Sequence, residues 1–353
     1  MRKILHIAEP FATGVLTFVE NLVKRQVDEY EVFIAYGIRP LTPPDVEKLF
    51  DKRVHMIKVD EFKGALGTVF NLKAYTKIRK LCKEIHPDIV HLHSTASGFV
   101  GRIALDCSRG NVFYTPHGYS FLMQGGTIFK RKLYWTMEWM CAMTGAKTIA
   151  CGKGEYDEAK KLSNKSTYVN NGINTDGIKN FIREYDSNKK PIKICTSGRI
   201  LLQKNPALFN QIAEGLSDVE FTWIGEGELR SELTSSNIKI TGWVSRLEAL
   251  KILEECDVFL LPSLWEGLPL SLLEAMYLKK MCVVSNVIGN KDAIDSGRNG
   301  FICNNLDEFI TTLKDIVDGK VDARTMTENA HNDVEREYNL DVMAREYDKK
   351  YNE

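Results

Sequence analysis

Short apolar runs alternate with longer amphipathic stretches along almost the whole chain. KILHIA, EVFIAYG, DIVHLHS, NVFYTPHG, KTIACG and STYVNNG in the first half read as buried strands, as do PIKICTSG, VEFTWIG, IKITGWV, DVFLLPS, MCVVSN and GFICN in the second. A strand covered on both faces shows a continuous apolar run rather than strict alternation. Between these runs lie segments such as GVLTFVENLVKRQ and LKAYTKIRKLCKEI, where apolar residues recur at helical spacing. Strand–helix–strand alternation predicts parallel sheets with helices on both faces. The pattern pauses at the polar stretch NTDGIKNFIREYDSNKKP and then restarts. It therefore predicts two doubly wound, Rossmann-like α/β domains over residues 1–172 and 191–337, joined by a linker at 173–190. A last helix, over 338–353, is expected to pack back on the first domain. Ligands of such sheets bind beyond the carboxyl ends of the strands, so chemistry is expected in the post-strand loops and in a cleft where two such domains face each other.

Bulk properties narrow the class. At 353 residues the chain exceeds one ordinary core, and 44% apolar with 27% charged residues is the composition of a soluble globular protein. Eight cysteines are scattered without a C-x-x-C pair, which fits a reducing cytoplasm rather than a disulfide framework or zinc ribbon. The opening MRKILHIAEPF is cut short by Glu9 and Pro10, and reads as a first buried strand rather than a signal peptide. No run of 18 apolar residues offers a membrane span. Net charge is zero but unevenly spread: residues 1–170 hold 25 Lys and Arg against 17 Asp and Glu, leaving 22 against 30 in the rest. An excess of eight positive charges in the first half suits an anionic partner or surface, and equally an accident of solvated faces. Nothing in the chain suggests nucleic-acid binding.

Three loops after strands of the second half carry candidate chemistry. In TSGRILLQKNP, Arg199 and Lys204 stand just before a helix expected at Asn205–Pro206, where two cations and a positive helix end suit a diphosphate. In WIGEGELRSEL, Gly225 and Gly227 begin a dinucleotide fingerprint that Arg230 breaks, so a nicotinamide cofactor is not supported and a tight turn near a ligand remains. In SLWEGLPLSLLEAM, Glu266 and Glu274 bracket a turn in which Pro269 opens a helix near Leu270 or Ser271 and Gly267 allows close backbone approach. Glu274 is expected in about the first helical turn, with Glu266 in the loop facing the cleft. A carboxylate accepts two hydrogen bonds from a vicinal diol, so this pair suits sugar hydroxyls or a ribose.

The whole chain resembles the retaining nucleotide-sugar glycosyltransferases of family 4 (group 1), which have the GT-B fold of two Rossmann-like domains facing across a cleft. EGLPLSLLE is similar to that family's signature of two glutamates seven residues apart, TSGRILLQKNP to its diphosphate segment and YVNNGIN to its interdomain junction. ITGWVSRLEALKILEECDVFLLPS is similar to the stretch before the signature, and DIVHLHSTASGFVGRIA and YTPHGYSF to members that assemble bacterial capsule, exopolysaccharide or O-antigen. The resemblance implies a hexosyltransferase using a nucleotide-diphosphate sugar, a UDP-sugar above all, and a glycan or polyprenyl-diphosphate-linked acceptor. By the same resemblance Glu274 takes the ribose hydroxyls, and Glu266 faces the transferring sugar. Arg199 and Lys204 hold the diphosphate with the backbone of Gly267, Leu268, Pro269, Leu270 and Ser271; Gly14 approaches it from the other domain, and His117 reaches the donor sugar. Two departures stand out: ATGV has only Gly14 where paired glycines are usual, and VIGNKDAI offers Asp292 in place of the usual acid. A non-hydrolysing nucleotide-sugar epimerase shares this fold and donor; the paired glutamates weigh against it.

No Asp-x-Asp follows a strand, so charge stabilisation of the leaving diphosphate by cations and helix N–H groups is expected, with no metal or other cofactor. His91 and His93, which share one strand face, together with His117, read either as buried hydrogen-bonded histidines or as metal ligands lacking a convergent carboxylate. Two basic segments of the first half combine cations with apolar residues: Lys73, Lys77, Arg79 and Lys80, and then Phe121, Leu122 and Met123 before Lys130, Arg131 and Lys132, with Trp135 and Trp139 following. They suit reversible docking on the inner, anionic face of the cell membrane; ordinary packing with the two tryptophans in a core is the plainer reading.

Overall fold

Thirteen strands build two parallel sheets in a computed structural model that describes residues 1–124, 127–186 and 191–353. The first sheet contains β1 (Arg2–Ala8), β2 (Tyr30–Tyr36), β3 (His55–Lys58), β4 (Ile89–His93), β5 (Val112–Thr115), β6 (Lys147–Ala150) and β7 (Ser166–Tyr168), in the order β3-β2-β1-β4-β5-β6-β7. The second contains β8 (Lys193–Ser197), β9 (Glu220–Ile224), β10 (Ile238–Ile240), β11 (Val258–Leu261), β12 (Met281–Ser285) and β13 (Phe301–Cys303), in the order β10-β9-β8-β11-β12-β13. Both orders reverse once, between β1 and β4 and between β8 and β11. Loops after those strands diverge and leave the crevice in which ligands of such sheets sit. Edge strand β3 lies outside the apolar runs of the sequence because its HMIK has no fully buried residue.

Two compact units divide the chain. The first takes Met1–Leu122, the stretch ending at Asn171 and, from the end of the chain, Leu340–Glu353; the second takes Gly172–Asn339. The polar stretch at 173–190 is counted with the second unit as far as it is described: its short turns Thr175–Gly177 and Lys179–Phe181 precede Tyr185, which joins the second core, and 187–190 lie outside the described residues. Helix Leu340–Asn352 buries Leu340, Met343, Tyr347 and Tyr351 in the first unit's core, and Arg25 meets Asp341 at 2.5 Å.

Local sequence explains the helix ends. Leu72–Ile85 buries Ala74, Ile78, Leu81 and Ile85, one stripe at helical spacing, starts with the Asn71 side chain on Lys73 N and stops where His86 turns left-handed before Pro87. Arg246–Glu255 opens with a reciprocal capping box of Ser245 and Glu248. All eight cysteines are free thiols, seven of them buried.

Candidate active site

β8 and β11 are neighbours, pairing Val258 with Ile194 and Phe259 with Cys195, so the loops that follow them emerge side by side. Pro206 and a left-handed Asn205 start helix Pro206–Glu214, and the Asn205 amide reaches Pro262 O at 3.2 Å, tying one loop to the other. Leu264 N adds a bond to Gln203 O at 2.8 Å. Across this seam Lys204 Nζ lies 2.7 Å from Glu266 Oε1, with side-chain exposures of only 15% and 6%. Ser263 Oγ donates to the same oxygen at 2.8 Å, and Gln203 Nε2 reaches Oε2 at 3.2 Å. Glu266 lies in the loop, as expected, but it is buried, and its carboxylate is bonded to Lys204, Ser263 and Gln203. Arg199 is held differently, by a 2.5 Å contact with the exposed Glu228.

Helix Leu270–Tyr277 begins at Leu270, with Pro269 as its cap and no side-chain cap bond. Glu274 is its fifth residue, just past the first turn, and makes a 2.7 Å ion pair with Arg246. Among the residues beside the signature, Arg246, Gln203 and Ser263 are absent from the sequence reading. Arg246 sits just after a capping serine, as surface cations often do, and its sequence carries no mark of its partner 28 positions on.

Glycines shape both loops by close approach. A Cβ on Gly225 would stand 2.2 Å from Gly198 O and one on Gly227 2.3 Å from Ile200 O, so the backbones after β8 and β9 lie directly against each other. The broken dinucleotide fingerprint is thus a packing device that places Arg199 and Lys204; the Lys204 stem passes 3.1 Å from the Cβ position of Gly198. A Cβ on Gly289 would fall 1.8 Å from Gly267 O. In VIGNKDAI the glycine therefore buttresses the signature turn, whereas the Asp292 carbonyl accepts a bond from the Tyr338 hydroxyl at 2.8 Å.

In the first unit Gly14 is the second residue of helix Thr13–Gln26; among the described residues that helix has no side-chain cap, and a Cβ at Gly14 would meet nothing within 4 Å. His117 follows β5 with φ +56, a conformation that costs a non-glycine residue on the order of 1 kcal/mol. It is held there because the next residue, Gly118, donates N–H to the buried Glu155 at 2.6 Å, while Glu155 also accepts from Cys151 N at 2.8 Å. The His117 ring lies in an edge contact with Phe18 at 4.5 Å, and burial depresses its basicity to a pKa of about 3, so the ring is neutral at physiological pH. His6, His91 and His93 place nitrogen atoms within 4.8 Å of one another, and each ring is hydrogen-bonded to protein groups.

Chain comparisons agree with this geometry. Residues 177–333 match the family described as Glycosyl transferases group 1, and residues 12–176 match Glycosyltransferase Family 4. The UDP-Gal:alpha-D-GlcNAc-diphosphoundecaprenol alpha-1,3-galactosyltransferase of Escherichia coli is 30% identical over 308 residues, 78% of each chain. Sucrose-phosphate synthase from Thermosynechococcus elongatus superposes with a TM-score of 0.84 at 15% identity, over 100% of this chain and 98% of that one. Anabaena HepE in complex with UDP and glucose superposes with a TM-score of 0.79 at 15% identity, over the full length of both chains. Two parallel-sheet units, paired glutamates on the second switch-point loop and matches spanning nearly the whole sequence lead to one assignment: this chain belongs to the family 4 (group 1) glycosyltransferases and has the GT-B fold.

Proposed function

We propose that the protein is a retaining, metal-independent hexosyltransferase that moves a sugar from a UDP-sugar to a polyprenyl-diphosphate-linked glycan during surface-polysaccharide assembly. The observation that carries this reading is the seam between the loops after β8 and β11, where a buried Glu266 orients Lys204 beside the signature turn. The Escherichia coli relative, named for a UDP-galactose donor and a diphosphoundecaprenol acceptor, supports the substrate classes.

In this reading Lys204 and Arg199 receive the donor diphosphate together with the N–H groups of Gly267, Leu268, Leu270 and Ser271. Their partners suit different tasks. Arg199 leaves an exposed Glu228 at little cost, since exposed pairs contribute at most about 1 kcal/mol. Lys204 stays in place because a buried partner fixes it before the donor arrives, and such preorganised charge stabilises the leaving diphosphate without reorganisation. Glu274 offers its second oxygen to the ribose hydroxyls while Arg246 holds the first. Glu266 lies on the side of the transferring sugar and acts through the Lys204 it holds, Gly14 approaches the diphosphate, and His117 acts on the sugar. Retention follows if the acceptor attacks from the face the phosphate leaves, with that phosphate taking its proton.

Helix Ile128–Ala142 supports work at a membrane surface. Its inner side is pinned by a buried 2.7 Å ion pair between Arg102 and Glu138, which also accepts from the Tyr114 hydroxyl. Its outer side exposes Ile128 (73%), Phe129 (78%), Leu133, Trp135 (39%), Trp139 (41%) and Met140 beside Lys130, Arg131 and Lys132. The tryptophans are thus outside the core. An apolar, basic face of this kind suits the interface of an anionic leaflet, where each Lys or Arg adds about 1 kcal/mol.

The test is UDP release by purified protein across a panel of UDP-sugars, with and without a polyprenyl-diphosphate-linked acceptor. Acceptor-dependent release is expected from at least one donor, and C2-inverted free nucleotide sugar would instead identify an epimerase. Co-sedimentation should show binding to anionic vesicles that high salt reverses; equal binding to neutral vesicles would remove electrostatic docking.

A further inference from the structure

Four polar side chains, from the helix after β1 and from the strands and loop behind His117, form one continuous hydrogen-bonded row in the first unit. Gln26 Oε1 lies 2.8 Å from His6 Nε2, His6 Nδ1 lies 2.9 Å from His93 Nε2, and His93 Nδ1 lies 3.1 Å from His117 Nε2. Strand pairing sets the spacing, because β1 matches His6 to His91 and Ala8 to His93, and β4 matches His93 to Thr115, two residues before His117. His6 and His93 are fully buried, and Phe18 covers the row, packing on both His93 and His117.

Each neutral imidazole has one donor and one acceptor nitrogen, so the end of the row dictates the state of every ring in it. Gln26 presents its carbonyl oxygen, not its NH₂, to His6. His6 Nε2 then donates, leaving His6 Nδ1 to accept from His93 Nε2. His93 Nδ1 in turn accepts from His117 Nε2–H. His117 Nδ1 is left with a lone pair, on a residue that is only partly buried.

We propose that Gln26, His6 and His93 are positioning residues that fix His117 as its Nε2–H tautomer and present its Nδ1 lone pair to a hydroxyl of the transferring sugar. This deepens, and rests on, the reading of His117 as a residue acting on that sugar. Burial keeps His6 and His93 uncharged, so the row sets direction without adding charge. Glu155 fixes the backbone of the same loop through Gly118, so His117 is restrained at both main chain and ring.

The tautomers are read directly by two-bond ¹⁵N–¹H correlation on full-length, histidine-labelled protein, with the His117 signals identified by their loss in His117→Asn. Protonated Nε2 and unprotonated Nδ1 are expected; an Nδ1–H signal overturns the proposal. Activity supplies the second arm. His93→Leu should lower kcat about ten-fold with little change in donor KM, the expected loss when one orienting hydrogen bond disappears. His93→Asn, whose amide oxygen can stand where Nδ1 accepts, should restore most of it. Equal losses in the two variants, with unfolding temperatures matched, would mean a packing role only. Should neither variant fold, Gln26→Leu probes the far end of the row. Full activity of His117→Ala with the expected tautomer would instead remove the reading of His117 on which the row depends.

Discussion

Where β1, β4 and β5 lie side by side, the first sheet buries imidazoles that are neutral and bonded to one another. Where β8 and β11 lie side by side, the second unit buries an ammonium against a carboxylate. Both positions are switch points of the same topology, yet they solve desolvation differently. A neutral row orients groups and avoids the cost of burying charge; an ion pair accepts that cost and holds an ammonium in a fixed place on the loop proposed to meet a diphosphate. The division matches the proposed tasks, direction at the sugar and charge at the leaving group.

Acid should separate the units most widely. Burial depresses His6 to a pKa of about 4 and His117 to about 3, and holds His91 and His93 well below 6.5, the latter two also through repulsion from neighbouring histidines. The unfolded chain binds protons that the fold refuses, so stability is complete above about pH 6.5 and falls as pH drops toward 4, by about 1.4 kcal/mol per pH unit for each such histidine. The second unit contains the single histidine His331. Amide exchange followed by mass spectrometry from pH 7 to 4.5 should show the β1–β4–β5 region losing protection before β8–β11; the reverse order breaks the comparison.

Glu266→Ala comes next. It strands a largely buried Lys204 and should destabilise the second unit by about 3 kcal/mol, with turnover falling more than donor affinity. Denaturant unfolding and steady-state kinetics measure both effects. Glu274→Ala should differ in kind: its partner Arg246 is exposed, so stability changes by under about 1 kcal/mol, while UDP binding weakens by about 1.5–3 kcal/mol through lost bonds to the ribose. Titration calorimetry with UDP separates the two glutamates, and identical behaviour would dissolve their separate roles. Arg199→Ala is expected to be the mildest, with stability within about 0.5 kcal/mol of the parent and donor KM raised several-fold, because its present partner is a solvated surface acid.

Much of this was legible in the chain because continuous apolar runs mark strands buried on both faces, and because Pro269 and Pro206 mark helix starts. What stayed hidden were partners. Nothing around Glu274 announces Arg246, and nothing in DIVHLH announces His6, since those contacts are made by folding residues 28 and 87 positions apart onto one spot. Gly289 likewise reads as an ordinary loop glycine until its close approach to Gly267 is seen. Trp135 and Trp139 were ambiguous for another reason: helical spacing reports a shared face but not whether that face is covered.

The most direct measurement is transfer from the best UDP-sugar to a polyprenyl-diphosphate-linked acceptor in excess EDTA, with the product's anomeric linkage read by NMR. Full rate with the donor's configuration retained is expected. A strict requirement restored by Mg²⁺ or Mn²⁺, or an inverted linkage, would contradict the account in which Lys204, Arg199 and the signature turn stabilise the leaving diphosphate.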